Sequence, residues 1–314
     1  MILLLETVHA DALEVLEAAD DVHLVADLAE FDPRSYGAGV RAVVTRGRGQ
    51  ITSGVISAFP DLEVVARCGA GLDNVDTVAA DAAGVTVVHA PGATTSAVAE
   101  HALMLMLALA RRLVEVDAAV KAGRWDVRDG FESTEMRGRR LGIVGLGAIG
   151  SRLAEFARVL GMDVVCTTRR PDTAAVTGLV ARVDLDELLR TSDVVQLCVP
   201  LSDSTRHLMG AREFASMKPG SLLVNTARGP VVDHAALNSA LAEGTLGGYA
   251  TDVWDPEPPP EGDSAVRHQR VLVTPHVAGL TDVTYREICL GPAEAVVAIL
   301  GGSVPDPRTV YSSA

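Results

Sequence analysis

The chain of 314 residues carries 41 acidic against 27 basic residues, a formal net charge of −14, and is 48% hydrophobic. That length allows two domains with buried cores, and the negative surplus argues against nucleic acid or an anionic membrane as the main partner. Four cysteines, Cys68, Cys166, Cys198 and Cys289, lie far apart without paired spacing. They suit reduced thiols in a cytosolic protein better than disulfides or a zinc site.

Met1–Leu5 is apolar, but Glu6 ends the run and no basic segment precedes it. It is too short for a signal peptide and reads as a first buried strand. The strand-like runs "ILLL", "VHLV", "RAVVT", "LEVVAR" and "VTVVHA" then alternate with the helical patterns "ADALEVLEAA", "TSGVISAF" and "NVDTVAADAA". Such alternation with short connections implies a parallel sheet covered on both faces. One long helix is expected over 98–122. Its apolar tract, Ala102–Ala110, falls well short of the roughly twenty residues a membrane span needs, so it is read as a buried helix of a soluble protein.

From Leu141 the alternation restarts, with strands expected at "LGIVG", "MDVVCTT", "DVVQLCVP", "SLLVNTA", "GGYATDV" and "VLVTPH". Helices are expected near 148–160, 185–190, 211–217 and 234–243. Six strands at this spacing fit a doubly wound dinucleotide fold. Residues 281–302 have helical periodicity and are expected to return to the first domain, while the tail 303–314 reads as loose.

The stretch "RRLGIVGLGAIGSRLAEF" (139–156) sets Gly145-x-Gly147-x-x-Gly150 between a buried strand and a helix that runs to Gly161. In a phosphate cradle the first glycine allows the tight turn, the second admits a pyrophosphate to the backbone, and the third lets helix and strand pack closely. The first helical residues, Ala148 and Ile149, then offer free N–H groups and a partial positive charge. About twenty residues on, where an acid would hold the adenosine ribose hydroxyls of NAD(H), the sequence has Thr168, Arg169 and Arg170. Two guanidiniums and a hydroxyl suit a ribose 2′-phosphate, so NADP(H) is favoured, with NAD(H) as the alternative.

Three polar residues follow expected strands: Arg228 after "LLVNTA", Glu257 in "TDVWDPE" and His276 ending "VLVTPH". Ligands of open α/β sheets bind at such carboxyl ends. An arginine clamps a carboxylate and polarises a neighbouring carbonyl, and a histidine passes protons near neutral pH. An adjacent carboxylate orients such a histidine and favours its charged form.

Here the sequence resembles the D-isomer-specific 2-hydroxyacid dehydrogenases over nearly its whole length. The likeness is carried by "RCGAGLDNVD" (67–76), "SAVAEHALMLMLALAR" (96–111), "GLGAIG" (145–150), "MKPGSLLVNTARGPVVDHAALNSAL" (217–241), "TDVWDPEP" (251–258) and "TPHVAG" (274–279). The resemblance implies an α/β architecture of two doubly wound parallel-sheet domains with a cleft between. A flavodoxin-like substrate domain would take 1–97 plus 280–314, and a Rossmann cofactor domain 98–279. It makes Arg228, Glu257 and His276 the catalytic trio and gives Asp252 the nicotinamide carboxamide. It lays Cys198, Pro200, Thr205, Thr226, Ala227, Ala278 and Gly279, with His276, along the dinucleotide. The backbone of Gly69, Ala70 and Gly71, with Arg228, would take the substrate carboxylate. A homodimer using an arm at 122–138 is expected, and no metal.

"TRGRGQIT" (45–52) and "RCGAGLDNVD" look most like the 3-phosphoglycerate dehydrogenase branch, in which arginines matching Arg46 and Arg67 contact the substrate phosphate. Many such enzymes continue into C-terminal regulatory domains; this sequence stops at 314, so serine feedback through them is not expected. Thr168-Arg169-Arg170 points instead toward NADPH-driven reduction, as in glyoxylate and hydroxypyruvate reductases. A small 2-oxo or 2-hydroxy acid is the expected substrate. The alternative is a dinucleotide-sensing, corepressor-like binding protein on the same scaffold, distinguished by little turnover.

Overall fold

A computed structural model describes residues 1–169 and 180–312. The chain divides into two compact units, Met1–Thr94 with Gly279–Ala314, and Thr95–Ala278.

Among the described residues of the first unit, β1 (Ile2–Leu4), β2 (Val22–Leu24), β3 (Ala42–Thr45), β4 (Val64–Arg67) and β5 (Thr86–Val88) form one sheet in the order β2-β1-β3-β4-β5. Every pairing is parallel. This is the flavodoxin-like order. Strands buried on both faces are apolar at most positions, and the two-residue period then sorts their side chains. Ile2, Leu4, Val44 and Ala66 pack with Leu16 of α1 (Ala10–Glu17) and with Ile288, Ala293 and Val296 of the closing helix Thr284–Leu300. Leu3, Leu5, Val43 and Val65 pack on the other face with Ile56 of α2 (Ser53–Ala58) and Ala80 of α3 (Thr77–Ala82).

The tail is not loose as far as residue 311. His89 N–H donates to Thr309 O at 2.8 Å and Tyr311 N–H to Val87 O at 2.9 Å, around an antiparallel bridge between Val88 and Val310. β5 is an edge strand whose unpaired backbone groups take up this segment, a pairing that local sequence does not announce.

In the second unit the expected single helix over 98–122 is two, α4 (Thr95–Ala110) and α5 (Leu113–Lys121). Arg112 breaks them with a left-handed φ of 52°. α4 is apolar around most of its surface and buries Ala102, Leu105, Met106 and Leu109, whereas α5 buries only Ala119. Core packing therefore stops at the Arg111-Arg112 pair.

Among the described residues the second sheet has seven strands: β6 (Arg140–Val144), β7 (Asp163–Thr167), β8 (Ala181–Arg182), β9 (Val194–Leu197), β10 (Leu222–Asn225), β11 (Gly248–Thr251) and β12 (Val271–Val273). β8 is the strand the sequence did not predict, two exposed residues at the sheet edge. α6 (Ala148–Val159), α7 (Leu185–Thr191), α8 (Ala211–Ser216) and α9 (His234–Ala242) connect the strands. The order is β12-β11-β10-β9-β6-β7-β8, all parallel. The chain leaves β6 toward β7 and returns on its other side at β9. That reversal creates a switch point between the ends of β6 and β9, where open α/β sheets bind ligands.

Candidate active site

The glycine motif occupies that switch point, and each glycine has a different physical reason. Gly145 has φ +96°, and a Cβ there would fall 2.7 Å from Cys198 O at the end of β9. At Gly150 a Cβ would fall 2.5 Å from Gly145 O, so only glycine lets α6 seat against the turn. Gly147, the N-cap of α6, is different: a Cβ would meet nothing within 4 Å, and no side chain caps the helix. The first turn, with Ala148 and Ile149, therefore keeps N–H groups and positive dipole for an outside anion. These residues fit the pyrophosphate of a dinucleotide.

Gly145 N–H donates to Thr167 O at 2.9 Å, which ties the cradle to the end of β7 and so to Thr168 and Arg169. Arg169 is exposed and its Nη1 donates to Ser204 Oγ at 3.3 Å; Ser204 Oγ lies 3.0 Å from Ser202 Oγ. Sequence reasoning missed these two serines, which come from the loop after β9 some thirty residues away. Arg170 lies outside the described residues. In that same loop Thr205 Oγ1 accepts from Ser202 N–H at 2.8 Å and donates to Pro200 O at 2.7 Å, shaping the turn that follows Cys198.

Arg228, Glu257 and His276 follow β10, β11 and β12, three adjacent strands. His276 Nδ1 lies 2.8 Å from Glu257 Oε2. A carboxylate only accepts, so Nδ1 carries a proton and Nε2 is the nitrogen left for a reacting oxygen. Burial works to raise the Glu257 pKa. It is outweighed by the His276 hydrogen bond, the Trp254 N–H donated at 3.0 Å and the charges of His276 and Arg228, so Glu257 sits below its ordinary range.

The loop of Arg228 is held by Asn225, Gln196 and Gly229, none of which sequence reasoning singled out. Asn225, fully buried, donates from Nδ2 to Arg228 O at 3.0 Å and accepts Ala227 N–H on Oδ1 at 2.9 Å. Thr226 Oγ1 accepts from Gln196 Nε2 at 3.0 Å. At Gly229 a Cβ would fall 1.9 Å from Trp254 O. Glycine alone allows the Arg228 loop this close to the segment that carries Glu257.

Asp252 is 2% exposed and organises the turn of His276. Its Oδ1 accepts from Thr274 Oγ1 at 2.6 Å and Val277 N–H at 2.9 Å, and its Oδ2 from Ala278 N–H at 2.7 Å. His101 Nε2 of α4 lies 2.9 Å from Thr274 Oγ1, and because that hydroxyl gives its one proton to Asp252, the imidazole is the donor. His276 itself has a left-handed φ of 56°, a conformation that a non-glycine residue keeps only when its surroundings impose it. The Asp252 carboxylate supplies that restraint.

The remaining candidates lie in the first unit. A Cβ on Gly69 (φ +149°) would fall 1.4 Å from Arg67 Nη1, so the guanidinium rests on a bare glycine. Among the described residues no acceptor takes the N–H groups of Gly69, Ala70 or Gly71, while Gly69 O and Ala70 O bind Ala90 N–H and His89 Nδ1 at 2.9 and 2.8 Å. The Arg46 guanidinium stacks 5.4 Å from the centre of the Tyr285 ring, and among the described residues its buried Nε has no hydrogen-bond partner. Gly279 opens the closing segment, its carbonyl accepting from Thr284 Oγ1 at 2.6 Å.

Residues 103–278 match the family model described as D-isomer specific 2-hydroxyacid dehydrogenase, NAD binding domain. The chain is 38% identical over 263 residues to a D-3-phosphoglycerate dehydrogenase of Archaeoglobus fulgidus, covering 83% of this chain but 50% of that protein. It thus spans about half the length of that relative. A glyoxylate reductase of Aeropyrum pernix is 36% identical over 311 residues, covering 95% of this chain and 92% of its own. Among solved structures, the TT0316 protein of Thermus thermophilus superposes with a TM-score of 0.91 at 33% identity, with 99% of each chain covered.

Proposed function

The chain belongs to the D-isomer specific 2-hydroxyacid dehydrogenase family, and from that premise we propose that it reversibly reduces a small 2-oxo acid to the D-2-hydroxy acid. The observation that carries this reading is the 2.8 Å contact between His276 Nδ1 and Glu257 Oε2, in the loops after β12 and β11, with Arg228 in the loop after β10, the next strand beyond β11. A bound reduced nicotinamide supplies a hydride to C2 of the substrate.

The chain's own residues do the rest. Gly145, Gly147 and Gly150 with the α6 N-terminus hold the pyrophosphate. Thr168, Arg169 and Arg170 hold a ribose 2′-phosphate, a reading supported by the contact of Arg169 with Ser204, and this makes NADP(H) the favoured cofactor. The N–H groups of Gly69, Ala70 and Gly71 bind the substrate carboxylate. His276 gives its Nε2 proton to the C2 oxygen as negative charge develops there, and Arg228 stabilises that charge. Glu257 keeps the imidazole turned so that Nε2, not Nδ1, delivers the proton. In oxidation the same nitrogen takes the proton back.

Arg46 and Arg67 extend the reading to a substrate with a second anionic group, supported by the unpartnered buried Nε of Arg46. A homodimer is supported by Leu113 and Val114 of α5 and by Trp125, which leave 55%, 57% and 67% of their surface exposed. A cytoplasmic location is supported by four free thiols. The two named relatives are a dehydrogenase and a reductase, which favours turnover over sensing.

The test is a spectrophotometric panel of glyoxylate, hydroxypyruvate and 3-phosphohydroxypyruvate against NADPH and NADH. Turnover with NADPH ahead of NADH, and a lower KM for the phosphorylated acid, is the expected result. Absence of turnover across the panel would contradict the proposal.

A further inference from the structure

The loop that carries Arg46 is built around a carboxylate from forty residues earlier in the chain. Glu6, just beyond β1, is 8% exposed. Its Oε2 accepts the backbone N–H groups of Arg46 at 2.8 Å, Gly47 at 2.9 Å, Arg48 at 3.0 Å and Gly49 at 3.2 Å. The Thr45 hydroxyl adds a fifth bond at 2.9 Å. Four consecutive amides converging on one oxygen form an anion nest, and here the anion belongs to the protein.

The surroundings hold the loop from both sides. A Cβ on Gly49 would fall 2.7 Å from Leu5 Cδ1, so the loop lies tight against the end of β1. From the other side Asn74, itself buried, donates from Nδ2 to Gly49 O at 2.7 Å. Burial alone would raise the Glu6 pKa, but the Gly47, Arg46 and Gly49 amides and the Thr45 hydroxyl outweigh it and hold it below the ordinary value. Removing the carboxylate would take the shared acceptor from the buried Gly49 N–H and Thr45 hydroxyl and from three part-buried amides, and an unpaired buried donor carries a penalty.

The consequence concerns recognition. Because Glu6 fills the nest, these amides do not read a ligand's charge; the loop reads it through the side chains it projects. We propose that Glu6 is a positioning residue, an internal anion that shapes residues 45–49 so that Arg46 meets the anionic tail of the substrate. This rests on the substrate-binding role proposed for Arg46.

The experiment uses the full chain, with hydrogen exchange and kinetics measured side by side. Glu6→Ala is expected to speed exchange of amides 46–49 and to raise the KM for 3-phosphohydroxypyruvate about tenfold with little change in kcat. Sodium formate, a carboxylate small enough for the emptied nest, should restore protection and KM in the variant and leave wild type unaltered. Glu6→Gln keeps the shape without the charge, should fall between the two, and carries the test if Glu6→Ala does not fold. Wild-type exchange at 46–49 in both variants would overturn the inference. So would an unchanged KM in both when Arg46→Ala does raise it. If the amides loosen and formate protects them again while Arg46→Ala alters no KM, the substrate reading fails and the hold of Glu6 on the loop stands.

Discussion

Two glycine-bearing loops, one in each unit, come after a buried parallel strand and gather backbone N–H groups, yet they do opposite things with them. Residues 45–49 close on the carboxylate of Glu6. Residues 145–150 lead into α6 with no side-chain cap. The helix downstream of each loop accounts for the difference. α2 starts only at Ser53 and is capped from within, Thr52 Oγ1 accepting Val55 N–H at 3.3 Å. The first loop has no helix dipole behind it, so an internal charge stabilises it and turns it into a mount for arginines. The second is backed by the twelve residues of α6 and keeps its donors for a ligand. The same amide chemistry is closed on an internal anion in one place and left open in the other.

Four substitutions break or sharpen that contrast. Gly229→Ala should have the largest effect, because its Cβ would collide with the Trp254 carbonyl and push the Arg228 loop away from Glu257. A shift of about 1 Å at a reacting group lowers turnover on the order of a hundredfold. Steady-state kcat should show it while dinucleotide binding survives. Gly147→Asp would give the second loop what the first already has, an anion of its own. The side chain has room, since a Cβ meets nothing within 4 Å and φ is −91°. The Kd for NADPH, read by fluorescence titration, should rise about thirtyfold, or ~2 kcal/mol, while the added cap leaves Tm level or slightly higher.

Arg169→Ala should weaken NADPH about tenfold and NADH hardly at all, and equal losses would remove the 2′-phosphate reading. The smallest effect is on acid stability. Glu6 is held below its ordinary 4.5, so its contribution is complete above that value and is lost as pH falls through the lowered pKa. Urea denaturation of Glu6→Gln should therefore depend less on acid pH than that of wild type.

Much of this was legible in sequence because the relevant physics is local. Apolar runs marked the strands, and the glycine spacing marked the turn at the switch point, where Gly145 and Gly150 each have a steric reason and Gly147 leaves open space. Arg228, Glu257 and His276 stood out because they end strands. The unread parts depend on distant partners. Nothing beside Glu6 foretells amides forty residues on, and nothing beside Asn225, Gly229 or Asp252 shows that they hold the loops of Arg228 and His276. The break at Arg112 was hidden because residues 98–122 keep helical spacing on both sides of it, and the tail's docking on β5 because pairing to an edge strand leaves no local pattern. Ser204, with Ser202 behind it, meets Arg169 only through the strand order.

In the proposed reaction His276 delivers the proton, and the glycine turn binds the dinucleotide independently of it. Stopped-flow reduction of hydroxypyruvate by His276→Ala, with NADPH affinity titrated on the same sample, tests this most directly. NADPH binding is expected within about threefold of wild type and the reduction rate lower by a factor on the order of a thousand. A variant that binds NADPH and reduces hydroxypyruvate at the wild-type rate would contradict it.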